Sequence, residues 1–118
     1  MIARVGMPSV HLATKPVDMR KSINGLSVLV ADQLGLNPLN GQIFVFYNRY
    51  RDKIKILYWE HNGFCLWYKR LEKHRFHIPA DISSDRIELS SDQLSWLLAG
   101  LNLSEIKGHP KLHFSTLI

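Results

Sequence analysis

Two runs rich in β-branched and aromatic residues, KIKILYWE (53–60) and FCLWYKRL (64–71), are joined by HNG. Asn-Gly is the strongest short hairpin signal, because a type I′ turn needs positive φ at both central positions. With Asn62-Gly63 as the two-residue loop, the pairing follows. His61 faces Phe64, Trp59 faces Leu66, Leu57 faces Tyr68 and Lys55 faces Arg70 on one side of the ribbon. The other side carries Ile54 with Leu71, Ile56 with Lys69, Tyr58 with Trp67 and Glu60 with Cys65. Both sides are heavily apolar, so both are expected to be covered, one by helices and the other by the tail, a second subunit or a bound partner. Directly opposed, Lys55 and Arg70 cost up to about 1 kcal/mol, unless a carboxylate or phosphate lies beside them or the long side chains splay into water.

The rest of the chain supplies elements around this hairpin. SVHLAT (9–14) alternates as a short strand. From Met19 to Gln33, apolar residues recur at helical spacing, with Asp18 as N-cap and Gly35 as stop. NPLNG (37–41) is a turn cluster. IFVFY (43–47) is apolar without a break, as a strand covered on both faces would be. RFHIP and DRIELS suggest two further short strands. SSDQLSWLLAG reads as a helix capped by Ser90 or Ser91, with Leu94, Trp96, Leu97 and Leu98 on its apolar side and Gly100 as its stop. The expected class is α+β: an antiparallel β-meander of about four to six strands, one helix before it and one after it. Its 118 residues make one domain, 1–118, with no linker or repeat.

Charge points to function more sharply than composition does. The chain carries +5. Between Arg49 and Arg75 stand eight basic residues (Arg49, Arg51, Lys53, Lys55, Lys69, Arg70, Lys73, Arg75) against Asp52, Glu60 and Glu72; the other 91 residues balance, seven against seven. A charge excess confined to one segment suits a polyanion, held through phosphate contacts and counterion release. The turn NRYRDK (48–53) adds an aromatic to a basic tip, with Tyr50 suited to stacking on a base. The structural alternative is a solvated sheet edge. Arg20 and Lys21 open the first helix, but Asp18 is expected to occupy that end. One cysteine, no bilayer-length apolar run and no signal-peptide core fit a cytoplasmic protein with no membrane partner.

Catalytic chemistry finds little support. A two-metal nuclease needs clustered carboxylates, whereas Asp52 and Glu60 stand at opposite ends of one strand, about 27 Å apart at the standard rise. Asp18 and Asp32 are assigned to a cap and a polar helix face. His74 and His77 fall on opposite sides of an extended segment, and His109 and His113 flank PKL, a poor helix former. Cys65 has no partner for nucleophilic or metal chemistry, and there is no glycine-rich phosphate loop. The expectation is a non-enzyme with no catalytic residue, no metal and no cofactor.

PVDMRKSINGL (16–26), FVFYNRYRDKIKILYWEHNGFCLWYKRLEK (44–73) and IELSSDQLSWLLAGL (87–101) resemble the TnpB-type accessory proteins encoded by the second open reading frame of the insertion-sequence family numbered sixty-six. The resemblance runs from residue 10 to residue 115. An RNA-guided nuclease shares the TnpB name, but it needs a far longer chain and an acidic catalytic set that is absent here. The resemblance implies a bacterial mobile element, a separate transposase and a role in transposition without a defined activity. Tyr50 stands where a third consecutive basic residue is usual, and His61 where arginine is common; both lower the positive charge.

Two functions of different class follow. In the first, a non-catalytic accessory protein of DNA transposition contacts DNA or the transposase–DNA complex through Arg49, Tyr50, Arg51, Lys53, Lys55, Lys69, Arg70, Lys73 and Arg75, mostly at phosphates. In the second, an adaptor docks the transposase or another copy of itself through Tyr58, Trp59, Trp67 and Tyr68, without touching DNA. A contiguous basic surface favours the first, and a contiguous apolar one the second.

Overall fold

A central strand with no polar residue has to be buried on both faces, and IFVFY is such a strand. In the computed structural model, which describes residues 8–79 and 83–102, β2 (Ile43–Tyr47) lies at the middle of a five-stranded sheet and is buried along its whole length. Its neighbours are β1 (Val10–Ala13) and β3 (Lys53–Glu60). β4 (Gly63–Arg70) and β5 (Arg86–Leu89) form the two edges, in the order β4-β3-β2-β1-β5. Helix α1 (Ile23–Asp32) connects β1 to β2, and α2 (Ser91–Leu98) follows β5.

Side chains of a strand alternate between faces, and the core divides accordingly. On one face Val10, Leu12, Ile43, Val45, Tyr47, Ile54 and Ile56 pack with Leu94 and Leu97 of α2. On the other, Ala13, Phe44, Phe46 and Leu57 pack with Leu26 and Val30 of α1. This corrects the expectation that the helices share one face and leave the other to the tail, a second subunit or a partner: α2 packs on one face and α1 on the other. The apolar side expected for the second helix is also in place: Leu94, Trp96 and Leu97 are buried, and Leu98 is half-buried.

The sheet is mixed, which corrects the expectation of an antiparallel meander. The strands β2, β3 and β4 do form one, but β1 runs parallel to β2, with Val10 opposite Ile43 and Leu12 opposite Val45. A parallel neighbour needs a crossover of a dozen or more residues, and the helical stretch after β1 provides it. β5 pairs antiparallel with β1. His11, buried at 3% exposure in β1, is satisfied: Arg86 Nη1, which can only donate, meets Nδ1 at 3.2 Å, so Nε2 donates to Gln42 Oε1 at 2.8 Å.

Three local expectations change. First, α1 starts at Ile23 with Ser22 beside it, and Asp18 is no cap. The Asp18 carboxylate accepts from the Arg20 amide at 2.9 Å and from its guanidinium at 2.6 Å, which spends it on a turn ahead of the helix. Secondly, RFHIP is not a strand. His74 takes a left-handed backbone (φ 67), so the chain leaves the ladder after β4 and crosses the end of the sheet, burying Phe76 at 2% exposure. Thirdly, the hairpin loop is His61-Asn62, with the positive φ (57) at His61; Glu60 pairs with Gly63. Trp59 then faces Phe64, Leu57 faces Leu66, Lys55 faces Tyr68 and Lys53 faces Arg70, while Tyr58 faces Cys65, Ile56 faces Trp67 and Ile54 faces Lys69. The expected opposition of Lys55 and Arg70 does not occur. DRIELS is a strand, and Ser90 caps α2 in a reciprocal capping box with Gln93. Gly100 (φ 83) ends α2: its amide reaches Leu97 O and that of Leu101 reaches Trp96 O, each at 3.0 Å. Asp81, Glu105, His109, His113 and the tail 103–118 lie outside the described residues.

Candidate nucleic-acid interface

The β2–β3 turn is built by one side chain. Asn48 Oδ1 accepts from the amides of Asp52 (3.1 Å) and Lys53 (3.0 Å), and its Nδ2 donates to Asp52 Oδ1 at 2.7 Å. The Arg51 amide closes on Asn48 O at 3.0 Å, with Arg51 in the left-handed region (φ 64). The crossing segment after β4 is pinned to this turn by two backbone bonds, Leu71 N to Asp52 O at 2.8 Å and Phe76 N to Arg51 O at 2.7 Å. Residues 49–53 and 71–77, separated in sequence by residues 54–70, therefore form one end of the molecule.

That end carries unequal cations. Arg49, Arg51, Lys73 and Arg75 are exposed, and no carboxylate among the described residues lies within ion-pair distance of them. Arg75 stacks its guanidinium 4.0 Å from the centre of the Tyr50 ring, a favourable cation–π position. Arg49, Tyr50, Arg51, Arg75, His77 and Asn102 line an open cleft of about 500 Å³. A second of about 480 Å³ adjoins it, lined by Lys73, His74, Arg75 and His77 beside Ala99 and Gly100 at the end of α2. His74 and His77, expected on opposite sides of the chain, line this same cleft because His74 turns the backbone.

The other expected contact residues are engaged. Lys53 lies 3.3 Å from Asp52, and Arg70 Nε donates to Glu72 at 2.9 Å. Lys55 Nζ donates to Met19 O (2.7 Å) and Lys21 O (2.8 Å), and Lys69 Nζ donates to Leu98 O at 2.8 Å, at the C-terminal end of α2. Lys55 thereby ties the sheet to the segment that leads into α1, and Lys69 ties it to the end of α2, where a helix dipole favours a cation. Lys55→Met is therefore expected to lower unfolding free energy by about 1–2 kcal/mol, the scale of charge-assisted hydrogen bonds. Urea denaturation of the variant would show it as a lower midpoint at unchanged slope.

The Asn48 side chain, first, and then Lys53 hold the Asp52 carboxyl below its ordinary value of 3.8, against the opposing effect of desolvation. The turn's ionic contribution is thus complete above pH 3.8 and is lost as pH falls through the lower folded value. Stability should decline below pH 4 more steeply in the wild type than in Asp52→Asn, as followed by acid titration of near-UV circular dichroism. Asp18 behaves likewise, held at about 2 by the Arg20 guanidinium and amide.

The aromatic quartet does not form one exposed patch. Tyr58 and Trp67 pack against the α2-side core. Trp59 meets Phe64 edge-on at 5.1 Å. Tyr68 is 49% exposed, with the Lys55 ammonium 5.6 Å from its ring centre. Cys65 sits with its sulfur 3.9 Å from Glu60 Oε1. Among the described residues, no three His, Cys, Asp or Glu side chains group as a metal site would require, and no helix is long and apolar enough to cross a membrane.

The family model described as IS66 Orf2 like protein matches residues 8–108, a stretch that includes the sheet, both helices and the basic end. The chain belongs to that family. It thereby stands among the transposition-associated accessory proteins of IS66-type insertion sequences, as the motif resemblance implies. Two relatives come from Sinorhizobium fredii, both described as uncharacterized proteins. One, y4jC, is 36% identical over 101 residues, covering 86% of each chain. The other, y4hO, is 39% identical over 93 residues, covering 79% of this chain and 80% of its own. No solved structure matches.

His74, His77 and Asn102 join the site without having been expected there. The crossing segment has no periodicity that could place the two histidines, and Asn102 lies beyond the end of α2, where no pattern runs. The neutralisation of Lys53 and Arg70, by contrast, is readable from the carboxylates one and two residues away, Asp52 and Glu72.

Proposed function

We propose that the chain is a non-catalytic accessory protein of transposition that holds DNA by its phosphate backbone at the basic end of the sheet. The observation that carries this reading is the convergence of Arg49, Arg51, Lys73 and Arg75 from two distant segments onto one surface, without carboxylate partners among the described residues. Four such cations release condensed counterions on binding, and this drives association without reading sequence. Partly packed aromatics give the adaptor reading less surface. The transposase of the same element is the partner expected beside DNA. Anisotropy of a labelled duplex from 50 to 300 mM salt tests the reading. Binding that weakens steeply with salt, indifferent to sequence, is expected. No binding at 50 mM would leave the protein–protein role as the better account.

A further inference from the structure

Tyr50 is 60% exposed, and its ring packs against one cation. Asn48 fixes the turn that presents it, the Phe76–Arg51 backbone bond anchors the opposite wall, and Arg75 backs one region of its ring at 4.0 Å. An exposed aromatic so backed is a stacking platform, because it loses little conformational freedom when a second ring lies on it. Beside it lies the open cleft that Arg49, Arg51, Arg75, His77 and Asn102 also line. Its wall carries the Arg49 and Arg51 guanidinium groups for a phosphate, and His77 and Asn102 bring hydrogen-bonding side chains to it.

We infer that this cleft receives an unpaired nucleotide, its base on the face of Tyr50 that Arg75 leaves open and its phosphate on Arg49 and Arg51, so that the chain prefers single-stranded DNA to duplex. This rests on the DNA-contact reading above and adds the kind of strand. A base in a duplex is stacked on both sides and offers no free face to Tyr50, whereas its phosphates remain available to the arginines. Duplex binding should therefore use the cations alone, and single-strand binding the cations and the ring together.

The test compares a 20-nucleotide thymidine strand with a mixed-sequence 20-base-pair duplex by anisotropy at 100 mM salt, using wild type, Tyr50→Phe and Tyr50→Ala. The wild type is expected to bind the strand about 10-fold more tightly than the duplex, the scale of one or two stacked bases. Tyr50→Ala should lose most of that preference, weakening strand binding much more than duplex binding, and Tyr50→Phe should retain it, because the ring and not the hydroxyl supplies the platform. Equal binding of strand and duplex by the wild type would overturn the inference and leave the phosphate reading standing. So would an equal loss on both substrates in Tyr50→Ala, which would make the ring a structural part of the turn. Absence of binding to either substrate would overturn both.

Discussion

Changing Arg49, Arg51, Lys73 and Arg75 together to alanine is expected to weaken duplex binding about 100-fold or more at 100 mM salt. It should also flatten the dependence of log affinity on log salt by about 3 to 4, since each phosphate contact contributes about 0.9 to that slope. The double change Lys55→Met with Lys69→Met removes cations from the same stretch of sequence. Its slope should stay within about 1 of the wild type, because those ammonium groups are committed to Met19, Lys21 and Leu98 carbonyls. The contrast turns on geometry. Both sets belong to one basic run, and only one of them is free to meet a phosphate. Equal losses in the two variants would show that net charge alone matters, and that the arrangement at the end of the sheet does not.

The second large effect is expected at Phe76. Its side chain is 2% exposed and joins the core on the α2 side, while its amide bonds to Arg51 O. Phe76→Ala leaves a cavity beneath the crossing segment and should lower unfolding free energy by about 3–5 kcal/mol. That is a large part of the 5–15 kcal/mol typical of a domain. Because Lys73 and Arg75 are carried by the segment that Phe76 anchors, DNA affinity should fall with stability. Phe76→Leu, which fills most of the volume, should keep both nearer the wild type. Thermal melting and anisotropy on the same three proteins check this. A Phe76→Ala protein that melts within a degree or two of the wild type would contradict the anchoring role.

The hairpin shows how much of this fold a reader of the sequence obtains and where the reading stops. Odd-numbered residues of β3 share a face with even-numbered residues of β4 in both the expected and the observed pairing, so the grouping of hairpin side chains into two faces was legible, whereas the placing of one helix on each face was not. The partners were not, because the loop sits one residue earlier, at His61-Asn62. That register brings Trp59 onto Phe64 and Lys55 onto Tyr68 in place of Arg70. The like-charged pair moves to Lys53 and Arg70 at the end of the sheet, where each has its own carboxylate, Asp52 and Glu72. Cross-strand pairing energies of this size, about 0.2–1 kcal/mol each, override a turn preference without leaving a mark on periodicity. The parallel placement of β1 was hidden for a different reason. A four-residue strand reads the same in either direction, and only the crossover through α1 decides it. The candidate site was legible as a charge cluster. Which four of its eight cations are available depended on carbonyl and carboxylate partners, and on a crossing segment whose path no pattern announces.

The most direct test of the central claim is an amide-resolved NMR titration of ¹⁵N-labelled protein with a short DNA. Shift changes concentrated at residues 49–53 and 71–77, with β4 positions Phe64 to Tyr68 little affected, are the predicted result. Changes centred on Phe64 to Tyr68, or none at a DNA excess in 50 mM salt, would contradict the claim that this protein meets DNA at the basic end of its sheet.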